Sequence, residues 1–383
     1  MTDMIPAAKP IIGDEEREAV DRVLRSGVIA SGPEVAAFEK EFGEQLVDGW
    51  LTVAVNSGTS GSHLGLLAAG VGPGDEVIVP SFTFAATANS VALTGATPVF
   101  ADIEPDYFCL DPASVEAAIT PRTKGIMPVH LYGHPANMTA LGEIAARHGI
   151  AIYEDAAQAH AARWQDKPVG TFGEFAMFSL YPTKNMTSGE GGMVSCVDEQ
   201  FARRVKLLRN QGMERRYENE LIGFNARMTD IHAAIGRVQL GKLAGWTKQR
   251  QDNAAFLSEN LRGVVVPAVA PEATHVYHQY TIKIVDHDRD KFAEELTNRG
   301  IGTGVYYPIP NHRLPSLVQF SARPSADRQC GTAGCCPAGV CEQLPATEQV
   351  ARQCLSLPVH PSLSQADLEQ IVEAVNDVAS AGA

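Results

Sequence analysis

Residues 151–194 read AIYEDAAQAHAARWQDKPVGTFGEFAMFSLYPTKNMTSGEGGMV. Asp155 follows a short apolar run at the start of this stretch, and Lys184 lies 29 residues later, in a turn between Pro182 and a cluster of glycines. The pattern predicts a carboxylate at the end of one strand and a lysine in the turn after the next. This pair suits pyridoxal phosphate (PLP), because a lysine can bind the cofactor as a Schiff base and a carboxylate can keep its pyridine nitrogen protonated. The alternative interpretation is that Asp155 and Lys184 are ordinary charged side chains on the surface.

The composition narrows the class of protein. A chain of 383 residues is long for one core, so we expect two domains. The net charge of -14 argues against a nucleic-acid partner. The first residues, MTDMIPAAKP, lack the basic region and the apolar region that are typical of a signal peptide, and no apolar run approaches the roughly 20 residues of a membrane helix. We therefore expect a cytoplasmic protein that does not enter a membrane.

The seven cysteines fall into two groups. Cys109, Cys196 and Cys354 are isolated, and we predict that they are buried as small apolar side chains. The other four crowd into CGTAGCCPAGVC, residues 330–341. A metal site is one reading of that stretch, but the spacing matches no paired zinc knuckle, so we predict a surface loop and no metal.

Two amphipathic helices are predicted near the N-terminus. The first has Asp14 as its N-cap and stops at Gly27, and the second covers Glu34–Leu46. Neither helix contains a candidate catalytic or binding residue.

A strand, a small polar turn and a helix follow each other from Leu51 to the residues after His63. Free backbone N–H groups at a helix N-terminus bind phosphate, and small side chains let it approach. Gly58, Thr59 and Ser60 are the candidates for that site. An ordinary capping turn is the alternative.

Short apolar runs alternate with helical patterns up to Asp155, which predicts an α/β domain with a largely parallel sheet. Ligands bind beyond the carboxyl ends of such strands, where Asp155 and the turn at Gly58 would both lie. Phe82 and Phe84 leave a strand at the same edge. One of them could stack on a flat cofactor ring, and Phe82 fits a core aromatic equally well.

Several motifs along the chain together resemble those of one known protein family. They are residues 56–89, ATPVFADI (96–103), PVHLYGHPANM (128–138), EDAAQAHAA (154–162), FSLYPTKNMTSGEGGMV (178–194) and GFNARMTDIHAAIGRVQL (223–240). In this order they resemble the DegT/DnrJ family of PLP-dependent sugar aminotransferases, over nearly the whole chain. The resemblance implies the fold of type I PLP-dependent transferases, like aspartate aminotransferase. That fold has a large domain with a mixed, mostly parallel seven-stranded sheet and a smaller α+β domain.

The resemblance also implies residue roles. Lys184 would carry the cofactor covalently, Asp155 would pair with the pyridine nitrogen, and Gln158 would lie near the ring hydroxyl. Phe84 matches the stacking aromatic better than Phe82 does. The residues that match phosphate contacts are Gly58, Thr59, Ser60 and Ser179. Asn225 matches an asparagine that reaches the phosphate of the neighbouring subunit, so a homodimer with shared active sites is implied.

A lysine at position 184 has two tasks in this chemistry. It binds PLP, and once displaced it is a free amine that moves a proton between the donor's Cα and the cofactor. Family members with a histidine there eliminate rather than transaminate, so lysine favours transamination. Pyridoxamine phosphate would be the intermediate form of the cofactor.

We place the boundary of the domains near Gln249, which gives a PLP-binding domain of residues 1–249 and a small α+β domain of residues 250–383. In the small domain we predict strands in HQYTIKIV (278–285) and GVYYP (304–308), with a helix in residues 288–300 between them.

The substrate end of the site is predicted from the same resemblance. Tyr306, Tyr307, Asn311 and His312 lie where the small domain would face the substrate. His312 would touch a nucleotide phosphate or sugar, or bond the backbone of its own loop.

His160 and Tyr181 flank the cofactor motifs and are further candidates for the sugar end. Arg227 would serve a donor carboxylate or form a structural ion pair.

The expected reaction is amination of a keto-sugar nucleotide with L-glutamate as the donor. A 4-keto-6-deoxyhexose on dTDP or UDP is the first choice, and a 3-keto sugar or a keto-cyclitol is the next. A PLP-binding regulatory protein without turnover and a purely structural oligomer are the alternatives from other classes. The cysteine-rich stretch departs from the family pattern and leaves the nucleotide and the sugar open.

Overall fold

A seven-stranded mixed sheet forms the centre of the structure, a computed structural model that describes residues 4–321 and 344–381. The strands within these residues are, in chain order, β1 Leu51–Val55, β2 Glu76–Pro80, β3 Thr97–Ala101, β4 Thr123–Ile126, β5 Ala151–Asp155, β6 Arg163–Trp164, β7 Lys167–Pro168, β8 Phe175–Ser179, β9 Gly192–Cys196, β10 Met213–Arg215, β11 Glu218–Asn219, β12 Ala273–Thr274, β13 Tyr280–Lys283 and β14 Cys354–Leu357.

Helices cover much of the remainder. Within the described residues they are α1 Asp14–Ser26, α2 Pro33–Leu46, α3 Gly58–Ala68, α4 Ala86–Leu93, α5 Pro112–Ala118, α6 Met138–His148, α7 Glu199–Arg209, α8 Asp230–Asn260, α9 Arg289–Asn298, α10 Val318–Ser321, α11 Pro345–Gln353 and α12 Gln365–Ala381.

The strand order in the central sheet is β1-β9-β8-β5-β4-β2-β3. Five neighbours, β8, β5, β4, β2 and β3, pair in parallel, whereas β9 is antiparallel to both β8 and β1. β1 therefore runs in the same direction as the parallel strands. Six strands end at one edge of the sheet, which confirms the predicted α/β fold with a mostly parallel seven-stranded sheet.

The sheet is covered on both faces, as the continuous apolar strands require. All five residues of β2 are buried. Ile78 packs into one core cluster with Val99, whereas Val77 and Val79 pack into another with Phe175. Because successive side chains of a strand point to opposite faces, β2 contributes to both layers of the core.

The first two helices lie against α8. α1 begins at Asp14, but Gly13 is its N-cap, and the Glu16 carboxylate accepts the Gly13 N–H at 2.8 Å. The predicted cap was therefore one residue late. Gly27 ends the helix with φ of 73°, as predicted, because glycine adopts this left-handed conformation without strain.

The C-terminal part has its own core, in which Leu257, Tyr280 and Ile371 pack together with Ile5 from the N-terminus. Its sheet is the antiparallel pair of β13 and β14. The prediction of a strand in GVYYP was wrong. Gly304 makes a single bridge to Ser356, and the prolines at 308 and 310 have no N–H with which to extend a ladder.

Helix α8 runs without a break through the boundary expected near Gln249, so the division into two domains there stays a prediction. Within the described residues, no helix combines the length and the hydropathy that crossing a membrane requires. Cys109, Cys196 and Cys354 are buried, as predicted. The cysteine-rich stretch 330–341 lies outside the described residues.

Candidate active site

A cavity of about 490 Å³ opens at the carboxyl edge of the parallel strands. Its lining residues come from the ends of β5 and β8, from the segments that follow β1, β2, β4, β5 and β8, and from the C-terminal part. They are Ser57, Gly58, Thr59, Thr83, Phe84, Ala86, Thr87, Val129, Tyr132, Asp155, Ala157, Gln158, Met177, Ser179, Tyr181, Thr183, Lys184, Glu190, His278, Gln279, Val305, Tyr306 and Tyr307.

Asp155 is the last residue of β5 and is 5% exposed. Its Oδ2 accepts the Thr87 hydroxyl at 2.8 Å, and its Oδ1 accepts the Ala157 N–H at 3.1 Å. Burial raises the pKa of this carboxyl, and the hydrogen bond from Thr87 is the largest influence in the opposite direction. The carboxylate is thus held in place before any ligand reaches it.

Lys184 lies in the turn between β8 and β9, and its N–H donates to the Tyr181 carbonyl at 2.9 Å. The next residue, Asn185, donates from its side chain to the Val276 carbonyl at 3.0 Å, which ties this turn to the segment that precedes β13. Burial lowers the pKa of Lys184 to about 8, although the charge of Asp155 opposes that shift. An amine with this pKa exists largely in its nucleophilic form at mildly alkaline pH.

The N-terminus of α3 forms one wall. The Ser57 hydroxyl caps the helix by accepting the Ser60 N–H at 3.1 Å, so the N–H groups of Gly58 and Thr59 are the ones left at the cavity. A Cβ at Gly58 would lie 2.9 Å from the Met177 sulfur and 3.0 Å from the Ser179 Cβ. Helix and strand can approach this closely because residue 58 has no side chain.

The two phenylalanines after β2 have different surroundings. Phe82 is fully buried and packs against Phe108, whereas Phe84 is 61% exposed and lines the cavity. Phe84 also lies against Tyr307, with the ring centroids 6.3 Å apart. The structure therefore places Phe84, not Phe82, where a flat ring could stack.

Gln158 connects the two sides of the cavity. Its Oε1 accepts the Tyr132 N–H at 2.7 Å, and its Nε2 donates to the Tyr307 hydroxyl at 2.8 Å. The Tyr132 hydroxyl donates in turn to the Tyr306 carbonyl at 2.9 Å. Loop 304–308 is thus bonded directly to the turn that follows β5.

Two predicted histidines do not line the cavity. His160 is fully buried between Phe42 and Phe178. His312 is also fully buried, with its Nδ1 2.6 Å from the Ser81 hydroxyl and its Nε2 3.0 Å from the Glu348 carboxylate. Both side chains are enclosed by protein and have no surface for a sugar contact.

Three further predicted residues lie outside the lining. Ser60 directly follows the lining residue Thr59, and its hydroxyl accepts a hydrogen bond from that of Ser57. Asn225 is exposed on the segment before α8. Arg227 donates to the Asn210 side chain at 2.8 Å and lines a separate surface cavity. Tyr181, by contrast, lines the active-site cavity and is 48% exposed.

The lining residues that were missed from the sequence include Thr87, Tyr132 and His278. Thr87 follows Phe84 at the same sheet edge, so a hydroxyl facing that edge was a usable signal. Tyr132 has φ of 58°, which only the folded backbone reveals, and His278 enters from a segment 94 residues after Lys184. No group of three or more His, Cys, Asp or Glu side chains within residues 4–321 and 344–381 could hold a metal ion.

Comparison with known proteins decides the family. The model of the DegT/DnrJ/EryC1/StrS aminotransferase family matches residues 10–376. This chain belongs to that family. It is a PLP-dependent aminotransferase, as the motifs predicted.

Individual relatives cover almost the whole aminotransferase. The dTDP-3-amino-3,4,6-trideoxy-alpha-D-glucose transaminase of Streptomyces venezuelae is 41% identical over 377 residues, which cover 97% of this chain and 94% of that protein. The UDP-N-acetyl-3-dehydro-alpha-D-glucosamine 3-aminotransferase of Acidithiobacillus ferrooxidans is 38% identical and covers 84% of this chain and 83% of that protein. The structure of S. venezuelae DesV with a ketimine intermediate has a TM-score of 0.87 and 40% identity, with coverage of 98% and 99%.

The cavity of this aminotransferase fits PLP. Its wall at Gly58 leaves backbone N–H groups open to a phosphate, and a Cβ there would crowd Met177 and Ser179. A buried carboxylate, Asp155, and an amine with a lowered pKa, Lys184, face the same space.

Proposed function

We propose that this aminotransferase transfers an amino group from L-glutamate to a keto-sugar nucleotide. The observation that carries the proposal is that Asp155, at the end of β5, and Lys184, in the turn after β8, line one cavity with the N-terminus of α3. The 4-keto-6-deoxyhexose of dTDP or UDP remains a candidate substrate. A 3-keto sugar is supported by two relatives, because the names of the S. venezuelae and A. ferrooxidans enzymes place the amino group at C3 of their sugars.

The proposed roles follow from the chemistry of each side chain. Lys184 binds the cofactor covalently and, once released, moves a proton at the donor's Cα. Asp155 pairs with the pyridine nitrogen, and Gln158 lies near the ring hydroxyl. When bound, PLP takes up the electron pair released at Cα.

Residues in the walls of the cavity provide the other proposed cofactor contacts. Phe84 stacks on the ring, because it is exposed toward the cavity. Gly58 and Thr59 supply backbone N–H groups to the phosphate, Ser179 supplies a hydroxyl, and Ser60 supports the turn. Tyr181 and Tyr307 lie at the lining and are the proposed sugar contacts.

A homodimer with shared sites is part of the proposal. Within the described residues, Lys184 is the single lysine or arginine that lines the cavity, beside the carboxylates of Asp155 and Glu190. The cofactor phosphate and the donor carboxylates need more partners than that. Asn225 is exposed next to Phe224 and Ile222, which are 41% and 92% exposed and suit a subunit contact. Location in the cytoplasm stays a prediction.

Spectra of the PLP-loaded protein test the reaction. L-Glutamate should convert the absorbance band of the bound cofactor, and one member of a panel of 3-keto and 4-keto sugar nucleotides should restore it. Borohydride reduction should leave an adduct on the Lys184 peptide in the wild type and none in Lys184→Ala, with Lys248→Ala as the exposed control. A band that neither glutamate nor another amine changes would favour a regulatory protein without turnover.

Mixing two inactive variants tests the shared site. If Asn225 acts in the neighbouring subunit, Lys184→Ala and Asn225→Ala should form mixed dimers in which one site carries neither change. Activity should reappear on mixing. Its absence, with mixed dimers demonstrated by native mass spectrometry, would contradict the role of Asn225.

A further inference from the structure

The hydroxyl of Thr87 bonds to a residue of another element. Thr87 lies in the first turn of α4, is 1% exposed, and donates to Oδ2 of Asp155 at 2.8 Å. The two residues are 68 positions apart in the chain and meet because β2 and β5 end at the same sheet edge.

Two other buried hydroxyls, that of Ser90 in the helix and that of Thr94 at its C-cap, form local hydrogen bonds. Ser90 and Thr94 each donate to the carbonyl three residues earlier, Thr87 and Val91 respectively, at 2.8 Å. Such local bonds are the usual way in which a helix satisfies serine and threonine. Thr87 instead directs its proton at the carboxylate, which is 5% exposed and belongs to the cavity.

The bond determines how the carboxylate can meet a ligand. Each oxygen of an ionised carboxylate accepts about two hydrogen bonds. Oδ1 already accepts one from the Ala157 N–H, and Oδ2 accepts one from Thr87. With one bond on each oxygen, the plane of the group is held and acceptor capacity remains for the cavity.

The bond also offsets burial. Burial raises the pKa of Asp155, and Thr87 is the foremost of the groups that lower it, ahead of the Ala157 N–H and the charges of Lys184 and His130. A carboxylate that accepts hydrogen bonds stays ionised more readily. Without the Thr87 hydroxyl, the pKa of Asp155 would rise further in this enclosed position.

We propose that Thr87 is a positioning residue of the transamination site: its hydroxyl orients Asp155 and keeps it ionised for the pyridine nitrogen of the cofactor. This proposal rests on the pairing of Asp155 with that nitrogen in the proposed function. Thr87 acts through Asp155 and contributes no atom to the reaction.

The experiment compares variants loaded with ¹⁵N-labelled PLP. The nitrogen NMR signal reports protonation of the ring directly, and a single-turnover reaction with L-glutamate reports the rate. Thr87→Val removes the hydroxyl at nearly constant volume, and Thr87→Ala removes it without setting a methyl against the carboxylate. Thr87→Ser keeps the donor. Thr94→Val is the matched control, since it removes a buried hydroxyl at the C-cap of the same helix that bonds to the Val91 carbonyl.

In Thr87→Val and Thr87→Ala we expect the nitrogen signal to move toward the neutral pyridine position and the glutamate step to slow on the order of 10- to 100-fold, the usual effect of a lost bond to a charged group. Thr87→Ser and Thr94→Val should keep the wild-type signal and rate. Wild-type signals and rates in Thr87→Val and Thr87→Ala would overturn the proposal. An Asp155→Asn variant that keeps the pyridinium signal would instead refute the pairing on which the proposal rests.

Discussion

At the scale of single residues, the environment of Lys184 matters as much as its identity. Lysines at the surface are protonated at neutral pH, and a protonated amine cannot attack a carbonyl. Burial in the cavity lowers the pKa of Lys184 to about 8, and Asp155 limits the shift because its negative charge favours the ammonium form. Burial in the cavity thus increases the fraction of Lys184 that is in the neutral, nucleophilic form.

The rate at which the apo-protein binds PLP covalently should follow this pKa. The neutral amine reacts, so the rate should rise from pH 7 and level off above about 8, rather than near the value of 10.5 for an ordinary lysine. Stopped-flow absorbance at a series of pH values measures it. Asp155→Asn should move the profile to lower pH, and a wild-type rate that still rises tenfold per unit through pH 10 would contradict the prediction.

Gly58 is the second decisive residue. In Gly58→Ala the new Cβ would lie 2.9 Å from the Met177 sulfur and 3.0 Å from the Ser179 Cβ, so the Met177 side chain must shift or helix α3 must move away from β8. We expect a loss of PLP affinity of roughly tenfold or more, with destabilisation of about 1–3 kcal/mol. Fluorescence titration of the apo-protein measures the affinity, and urea denaturation measures the stability.

Gly142→Ala is the matched control for this change. Gly142 lies in α6, and nothing is within 4 Å of a Cβ built there. Alanine should leave PLP binding unchanged and stabilise the helix by up to about 1 kcal/mol. Equal loss of affinity in both variants would show that close packing at Gly58 is unimportant.

At the scale of elements, α2 depends on a residue outside it. Its N-cap, Gly32, has no side chain, and the Asp230 carboxylate from the start of α8 accepts the N–H groups of Gly32 at 2.8 Å and Val35 at 3.1 Å. Asp230 is 1% exposed. A cap supplied from 195 residues away joins the N-terminal helices to the long helix behind the active site.

Asp230→Ala should destabilise the protein by about 1–3 kcal/mol, because it leaves buried N–H groups at the start of α2 without their acceptor. Urea denaturation measures the change. Asp111→Ala provides a comparison, since Asp111 caps α5 within its own chain segment. Stability unchanged by Asp230→Ala would show that water replaces the cap.

At the scale of the whole molecule, buried histidines couple folding to pH. Burial lowers the pKa of His134 to about 4 and that of His160 to about 3, from 6.5. His134 is also fixed as the neutral form, because its Nδ1 donates to the Pro135 carbonyl at 2.6 Å and its Nε2 accepts the Ala270 N–H at 3.0 Å. Protonation of Nε2 would break the second bond.

Below pH 6.5 these two histidines therefore bind more protons in the unfolded chain than in the folded protein, and their contribution to stability should fall as the pH falls. The contribution of His134 should be a slope of about 1.4 kcal/mol per pH unit between 6.5 and about 4. Urea denaturation at pH 6.5 and pH 4.5 gives the free energy of unfolding at each pH. In His134→Gln the difference between these two free energies should lack the contribution of His134. An unchanged slope in the variant would refute the assignment to His134.

The sequence by itself determined the fold class and the central chemistry of this aminotransferase. Alternating strands and helices follow from local hydrophobic periodicity, and a carboxylate, a lysine and a small-residue turn keep their chemistry wherever they lie. Tertiary structure decided which side chains share the cavity. Phe84 rather than Phe82 faces it, His160 and His312 are enclosed in the interior, and Thr87 holds Asp155. Each outcome depends on contacts between segments that are distant in the chain. Ser81 and His312, for example, are in contact although they are 231 residues apart. Hydrophobic periodicity is a local property and does not predict such contacts.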